Sequence, residues 1–278
     1  LGDVYKRQVF TLRQYLLALL DSRGLTRTLG EIDVCRDEQG RPCFSAGNSA
    51  AVFRIRLGGR IRSLRCYLRP MRHLKEIYGQ RLLEKELYLH TSPETGVWVD
   101  TVLGDWIEGS TLHETVAQAA ALRDRESLQI LVRLFDRLAL ALVTDDRAHG
   151  DLKPENIIVG DDGTLCPIDF DASYLPAFAG EISPELGTAA YQHPARTAAD
   201  FDERIDDYPA ALISTALHAL AEDPTLWDRY GSSDGLLYTP QRIASDPAYR
   251  ETLALFEKRG MAVQYRIAQL LTAPTLRL

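Results

Sequence analysis

The stretch His149-Gly150-Asp151-Leu152-Lys153-Pro154-Glu155-Asn156-Ile157-Ile158-Val159 combines closely spaced polar side chains with the start of an apolar, β-branched run. Its aspartate is preceded by a histidine and is followed five positions later by an asparagine. A carboxylate in such a loop can accept a proton from a hydroxyl group, and an amide oxygen can bind a divalent cation. The stretch is therefore a candidate catalytic loop that leads into a short strand.

A second acidic stretch follows at a defined distance. Cys166-Pro167-Ile168-Asp169-Phe170-Asp171 places Asp169 at the end of a short apolar strand, thirteen residues beyond Asn156. A carboxylate and an amide that face each other across a strand turn can hold the metal ions that bridge the phosphates of ATP. Each motif alone also fits a simple turn, because Asp and Asn form local hydrogen bonds to the backbone. Together, at this spacing, they favour phosphoryl transfer.

These two motifs resemble the catalytic and metal-binding loops of the protein-kinase-like superfamily. The resemblance implies a two-lobed α+β fold, in which a small lobe with an antiparallel sheet precedes a mostly helical large lobe and ATP binds between the two. It also implies that Asp151 is the catalytic carboxylate and that Lys153 reaches the γ-phosphate. Asn156 and Asp169 are then the expected ligands of Mg²⁺.

The loop combines features of two kinase types. Gly150 precedes the aspartate as in aminoglycoside phosphotransferases, whereas residues 152–155 resemble those of Ser/Thr protein kinases. Kinases that are activated by loop phosphorylation usually carry Arg beside the aspartate, so we expect no such activation here. Asp171 replaces the glycine of the Asp-Phe-Gly motif, and we predict that it caps a turn, with a second metal ligand as the alternative.

Two further segments fit the resemblance. Residues 187–194, which include Thr188, resemble the threonine-bearing substrate loop, although His193-Pro194-Ala195 stands in place of Ala-Pro-Glu. An apolar helix is predicted from about residue 205 to 221. Asp207 in this helix resembles the buried aspartate that binds the backbone of the catalytic loop, and it would also serve as a helix cap.

Composition limits the class of protein and of partner. The 278-residue chain has a net charge of −7, whereas nucleic acids and anionic membranes select basic surfaces, so we expect neither as a main partner. No apolar run reaches the roughly 18 residues that a membrane span needs. Four cysteines form no metal-binding pair, and we predict reduced thiols in a cytoplasmic protein, although Cys35 and Cys43 could face each other across a hairpin.

The chain divides into three predicted parts. Residues 1–8 look like translated adapter sequence, and we expect them to be a non-native tag. The small lobe is placed at residues 9–104, and the large lobe at 105–278. The small lobe is expected to begin with a helical extension, since Thr11 can cap a helix that runs to about Ser22.

A period of two dominates the next part of the small lobe. It predicts strands at residues 31–36, 42–46, 50–57, 60–68 and 97–103, mostly separated by hairpin turns. The turn around Gly47 stands where kinases place their glycine-rich loop, so Gly47 and Ser49 are expected near the phosphates and Val52 near adenine. Because only one of three glycine positions is kept, a plain hairpin is the alternative.

The strand at 60–68 departs from the family pattern. Arg65 stands where kinases carry a lysine that contacts the α- and β-phosphates. Arginine keeps the charge but is longer and planar, and neighbouring arginines leave the register open by one pair. The sequence predicts a helix from about Met71 to Tyr88, with Glu84 as the ion-pair partner of Arg65.

The segment after strand 97–103 resembles the hinge, where backbone groups bind adenine. We expect Asp105 and Ile107 to contribute there. Ser110 or Thr111 can cap a helix through Gln118, and a longer apolar helix is predicted from about Glu126 to Asp145, directly before the catalytic loop. The tail is expected to form two or three short helices.

The resemblance implies an Mg-ATP-dependent phosphotransferase, with a protein Ser/Thr hydroxyl as the leading acceptor. A small-molecule kinase is an alternative because of His149-Gly150-Asp151. A pseudokinase that binds nucleotide or acts as a scaffold is another, because of Arg65 and the single glycine of the loop. Transfer of AMP instead of phosphate is a third alternative, since the same ligands can hold ATP in either orientation.

Overall fold

The computed structural model describes residues 9–275, so the expected tag at residues 1–8 lies outside the described residues. The described chain falls into two compact units that divide between Trp106 and Ile107. We call them the small unit and the large unit. The first contains most of the strands and the second most of the helices, which confirms the predicted α+β class.

The small unit begins with helix α1, Leu12–Leu20. Thr11 caps it as predicted, because its hydroxyl accepts the N–H of Gln14 while the Gln14 side chain accepts the N–H of Thr11. The buried Tyr15 then donates its hydroxyl to the carbonyl of Tyr67 at 2.6 Å. This contact ties the helical extension to the sheet.

The sheet of the small unit contains β1 (Asp33–Val34), β2 (Phe44–Ala46), β3 (Ala50–Leu57), β4 (Arg60–Tyr67), β5 (Leu82–His90) and β6 (Gly96–Asp105). Its order is β1-β3-β4-β6-β5, with β2 also paired to β3, and every pairing is antiparallel. Alternate residues such as Phe53, Ile55 and Leu64 are fully buried on one face. The opposite face therefore carries the other set of side chains, including Arg65.

The predicted helix from Met71 to Tyr88 is wrong. Helix α2 covers only Leu74–Tyr78, a 3₁₀ turn follows at Gly79–Arg81, and β5 then begins at Leu82. The leucines and glutamates of this stretch favour helix locally, but pairing with β6 buries Leu87 and Leu89 at the alternate spacing of a strand. Tertiary packing therefore overrides the local preference.

The large unit contains helices α3 (Leu112–Ala121), α4 (Arg125–Thr144), α5 (Asp207–Glu222), α6 (Leu226–Tyr230), α7 (Pro247–Arg259) and α8 (Ala262–Leu270). A second sheet pairs β7 (Gly109–Thr111), β8 (Ile157–Gly160) and β9 (Leu165–Pro167). Helix α5 is buried on nearly all sides and packs against α4, so both anchor the core. None of the helices in residues 9–275 has the length and apolar character to cross a bilayer.

Candidate active site

The candidate catalytic loop connects α4 to the β8–β9 hairpin of the large unit. Beyond the paired residues of the hairpin, the N–H of Ile168 donates to the carbonyl of Asn156 at 2.8 Å. This bond extends the pairing by one position past Ile157. It brings Asn156, just before β8, and Asp169, just after β9, to the same end of the hairpin.

Asp151 is held by three groups of the large unit. One carboxylate oxygen, Oδ1, accepts the backbone N–H of Thr188 at 2.5 Å. The other, Oδ2, accepts Nδ2 of Asn156 at 3.2 Å and lies 3.4 Å from Nζ of Lys153. The carboxylate therefore has a fixed orientation, with its charge partly balanced by the lysine.

The lysine of this cluster also contacts the predicted substrate loop. Nζ of Lys153 donates to the hydroxyl of Thr188 at 2.8 Å, and both side chains of the Lys153–Asp151 pair are largely shielded from solvent. The structure thus brings together Asp151, Lys153 and Asn156, as the sequence predicts. It adds Thr188, which bridges the carboxylate and the amine.

The aspartate that anchors the loop backbone is Asp206, not Asp207. Its carboxylate accepts the N–H of His149 at 2.5 Å and that of Gly150 at 3.0 Å. Burial raises the pKa of Asp206, while the two backbone N–H groups that it accepts oppose this rise. The sequence alone does not show which of the two adjacent aspartates contacts the loop, because this depends on how the start of the helix is rotated relative to the loop. Asp207 is buried and lies 3.8 Å from Arg204.

Gly150 has a backbone conformation and a close neighbour that strongly favour glycine. Its φ is +81°, and a Cβ there would stand 2.0 Å from the carbonyl oxygen of Ala172. Its own carbonyl accepts Nη1 of Arg196 at 3.2 Å. Arg196 was not predicted, since a single arginine in a loop carries no recognisable pattern.

His149 and Asp169 fix the other side of the loop. Nδ1 of His149 accepts the N–H of Asp151 at 3.3 Å, which assigns Nε2 as the donor to the carbonyl of Ile168 at 2.7 Å. Asp169 has a φ of +69°, a conformation that Asp tolerates better than most residues, and it precedes a 3₁₀ turn at residues 170–172. Asp171 lies in this turn and is 3% exposed, and its role as a cap stays a prediction.

The small unit places the other predicted nucleotide residues on its sheet. Arg65 is opposite Val52 on β3 and Val102 on β6, so all three share the face that points away from the small-unit core. Gly47 closes the β2–β3 hairpin by donating its N–H to Ala50, and Ser49 accepts the N–H of Leu68 at 2.8 Å. That Arg65, rather than a neighbouring arginine, stands at the position of the kinase lysine stays a prediction.

Glu84 does not lie on a helix, and its ion-pair partner is Lys75 at 3.4 Å. The predicted ion pair between Glu84 and Arg65 depended on a helix that the structure does not contain. Asp105 ends β6 and lies 3.5 Å from Arg62, and Ile107 is the first residue of the large unit. Contact of these two residues with adenine stays a prediction.

The residues at the end of the hairpin fit a magnesium ion. Nδ2 of Asn156 donates to both the carbonyl and the carboxylate of Asp151, which leaves the amide oxygen as the group available to a metal. Mg²⁺ prefers oxygen ligands and binds through one or two protein groups plus water and phosphate oxygens. Residues 9–275 contain no cluster of three or more His, Cys, Asp or Glu side chains that could hold a metal. Asn156 and Asp169 would suffice for Mg²⁺ only together with phosphate.

Comparisons with known proteins give partial matches. No family model matches the chain. CBL-interacting protein kinase 17 from Oryza sativa is 28% identical over 172 residues, which cover 59% of this chain and 35% of that protein. Serine/threonine-protein kinase PknL from Mycobacterium tuberculosis is 34% identical over 113 residues, or 38% of this chain and 27% of that protein. The fission yeast serine/threonine-protein kinase chk1 is 25% identical over 160 residues, or 56% of this chain and 31% of that protein.

The matched stretches thus span about a third of the length of these relatives. The three proteins come from a plant, a bacterium and a fungus, yet each is named as a protein kinase. The α+β fold is the one that the resemblance implies. Together, the fold and these matches support a place for this chain in the protein-kinase-like superfamily.

Proposed function

We propose that this protein transfers the γ-phosphate of ATP to a Ser or Thr hydroxyl of a protein, with Mg²⁺ as cofactor. The observation that carries the proposal is the cluster of Asp151, Lys153, Asn156 and Thr188. Its hydrogen bonds hold a carboxylate, an amine and an amide within one loop of the large unit. The names of the relatives support the same class of reaction.

Each residue of the cluster has a proposed role. Asp151 orients the acceptor hydroxyl and takes its proton as the acceptor oxygen bonds to the γ-phosphorus and ADP leaves. Lys153 stabilises the negative charge of the transferred group. Asn156 and Asp169 hold Mg²⁺, which neutralises charge on the phosphates when it is bound.

The small unit would contribute the nucleotide contacts. Arg65 would bind phosphate oxygens with its guanidinium, Val52 would pack on adenine, and Gly47 and Ser49 would lie at the phosphates. Arg65 and Val52 share one sheet face, which supports a common ligand. Because the arginine replaces a lysine, a nucleotide-binding pseudokinase is the second candidate.

Gly150 is the residue that resembles aminoglycoside phosphotransferases, but its presence alone does not favour a small-molecule acceptor. The left-handed backbone and the close approach of Ala172 require glycine there for local reasons. The contact between Lys153 and Thr188 instead links the catalytic cluster to the segment that resembles a protein-substrate loop. We therefore favour a protein acceptor over a small molecule.

The test is transfer of label from γ-labelled ATP in the presence of Mg²⁺, with residues 1–8 removed. The wild type is expected to transfer labelled phosphate to itself or to proteins of an added extract. The control variant Asp161→Ala, which changes an exposed aspartate in the β8–β9 turn, is expected to do the same. Asp169→Ala is expected to lose transfer. A wild type that transfers no label, but whose melting temperature rises with Mg-ATP, would support the pseudokinase. An inactive wild type with no such rise would exclude both candidates.

A further inference from the structure

Two cysteines of the small unit lie directly opposite each other. Arg36 and Pro42 are antiparallel bridge partners, so the next pair outward in the same register is Cys35 and Cys43. The N–H of Cys43 donates to the carbonyl of Cys35 at 2.8 Å, which confirms this register. Residues directly opposite each other on antiparallel strands have Cα atoms about 4.5–5.5 Å apart.

Strand β3 holds both cysteines in place. Arg54 accepts the N–H of Cys35 and donates its own N–H to the carbonyl of Cys43, each at 2.9 Å. Three backbone hydrogen bonds thus join Cys35, Cys43 and Arg54. Because residues directly opposite on antiparallel strands project to the same face, both thiols lie on the face of Arg54.

The environment of this pair differs from that of the other cysteines. Cys35 and Cys43 are free thiols and partly exposed to solvent. Cys66 is fully buried, and burial raises its pKa, so it remains protonated and out of reach. Cys166 lies on β9 of the large unit, beside Thr164. Cys35 and Cys43 are the two cysteines that the described sheet aligns as neighbours.

We propose that Cys35 and Cys43 form a reversible redox site, which a low-molecular-weight disulfide such as oxidised glutathione converts to an intramolecular disulfide. The Cα spacing of directly opposite residues falls within the roughly 4.4–6.8 Å range of disulfides. One thiolate attacks a sulfur of the external disulfide and releases one thiol. The second thiolate then attacks the protein-bound sulfur, forms the Cys35–Cys43 bond and releases the second thiol.

The site has a defined place in the small unit. The disulfide would close the loop of residues 36–42, which contains the turn at Gly40. Cys43 directly precedes β2, and β2 leads to the hairpin at Gly47. The site therefore lies at the start of the β2–β3 hairpin that Gly47 closes. Its oxidation does not depend on whether the protein transfers phosphate.

The experiment treats the full chain with glutathione buffers of graded redox potential, blocks free thiols, and identifies linked peptides by mass spectrometry without reduction. Trypsin cleaves after Arg36 but not between Arg41 and Pro42, so the disulfide would join peptides 28–36 and 37–54. The effective concentration of the two thiols is expected to be at least about tenfold higher in the folded protein than in concentrated urea, because the sheet aligns them.

Cys166→Ser is the matched control, because it removes another partly exposed thiol and is expected to leave the linked peptides unchanged. Cys43→Ser is expected to replace them with a glutathione adduct on Cys35. Glutathione adducts on both cysteines of the wild type, or an effective concentration no higher than in urea, would overturn the proposal. The assay contains no ATP, so its failure is distinct from failure of the proposed phosphotransfer.

Discussion

The substitution Gly150→Ala tests whether the loop packs on the 3₁₀ turn at residues 170–172. The φ of +81° at this position is left-handed, which costs an L-residue about 1–2 kcal/mol. The added Cβ would also stand 2.0 Å from the oxygen and 2.7 Å from the carbon of the Ala172 carbonyl. Because these are backbone atoms, the contact is relieved only by a backbone shift, which costs about 1–3 kcal/mol more. We expect a total loss of about 2–5 kcal/mol in the free energy of unfolding.

Gly163→Ala separates the two contributions. Gly163 lies in the turn between β8 and β9 with a similar φ of +77°, but no atom lies within 4 Å of the position that a Cβ would occupy there. This variant therefore reports the backbone strain alone, and we expect it to lose only about 1–2 kcal/mol. The difference between the two variants measures the contact with Ala172.

The assay is urea unfolding of both variants and the wild type, followed by circular dichroism and by tryptophan fluorescence. Coincident transitions would justify a single free energy for each variant. If Gly150→Ala costs no more than Gly163→Ala, the catalytic loop does not approach Ala172 as described. The geometric reason for glycine beside Asp151 would then fail.

Three other predictions follow from hydrogen bonds and charges. Asp206→Ala leaves two buried backbone N–H groups without an acceptor, so urea unfolding should show a loss of about 2–5 kcal/mol, and Asp206→Asn should lose less. Glu86→Ala should lose a similar amount of unfolding free energy, because the buried carboxylate of Glu86 accepts three consecutive backbone N–H groups at residues 27–29. Glu84 is exposed, so the control Glu84→Ala should change this free energy by less than about 0.5 kcal/mol. Arg147 lowers the pKa of Asp145 to about 2, so the stabilisation from this pair should be present above about pH 4 and lost as the pH falls towards 2. Melting curves of the wild type and Asp145→Asn should converge over that range, and a constant gap would contradict the ion pair.

The sequence was sufficient where spacing and local chemistry decide the structure. The two motifs around Asp151 and Asp169 flank one hairpin, so the short distance between them along the chain is enough to predict that Asn156 and Asp169 lie at the same end of it. The caps at Thr11 and Thr111 are equally local, since each depends on a side chain three residues away. Features of this kind need no knowledge of the rest of the fold.

The sequence was insufficient where distant packing decides. Residues 82–90 have helix-favouring composition, and only the presence of β6 selects a strand. The choice of Asp206 over Asp207 depends on the phase of α5 against the loop. Arg196 reaches Gly150 from forty-six positions away, and no short pattern predicts such a contact.

The proposed role of Asp151 is to act on the acceptor hydroxyl rather than in ATP binding. The most direct measurement compares the wild type with Asp151→Asn, using calorimetry for Mg-ATP affinity and quantitative transfer to a Ser/Thr peptide library for chemistry. The variant keeps a similar shape and can still receive the N–H of Thr188. We predict that Mg-ATP affinity changes by less than about threefold, while transfer falls by at least about a hundredfold. Equal transfer by the two proteins would contradict the role of Asp151.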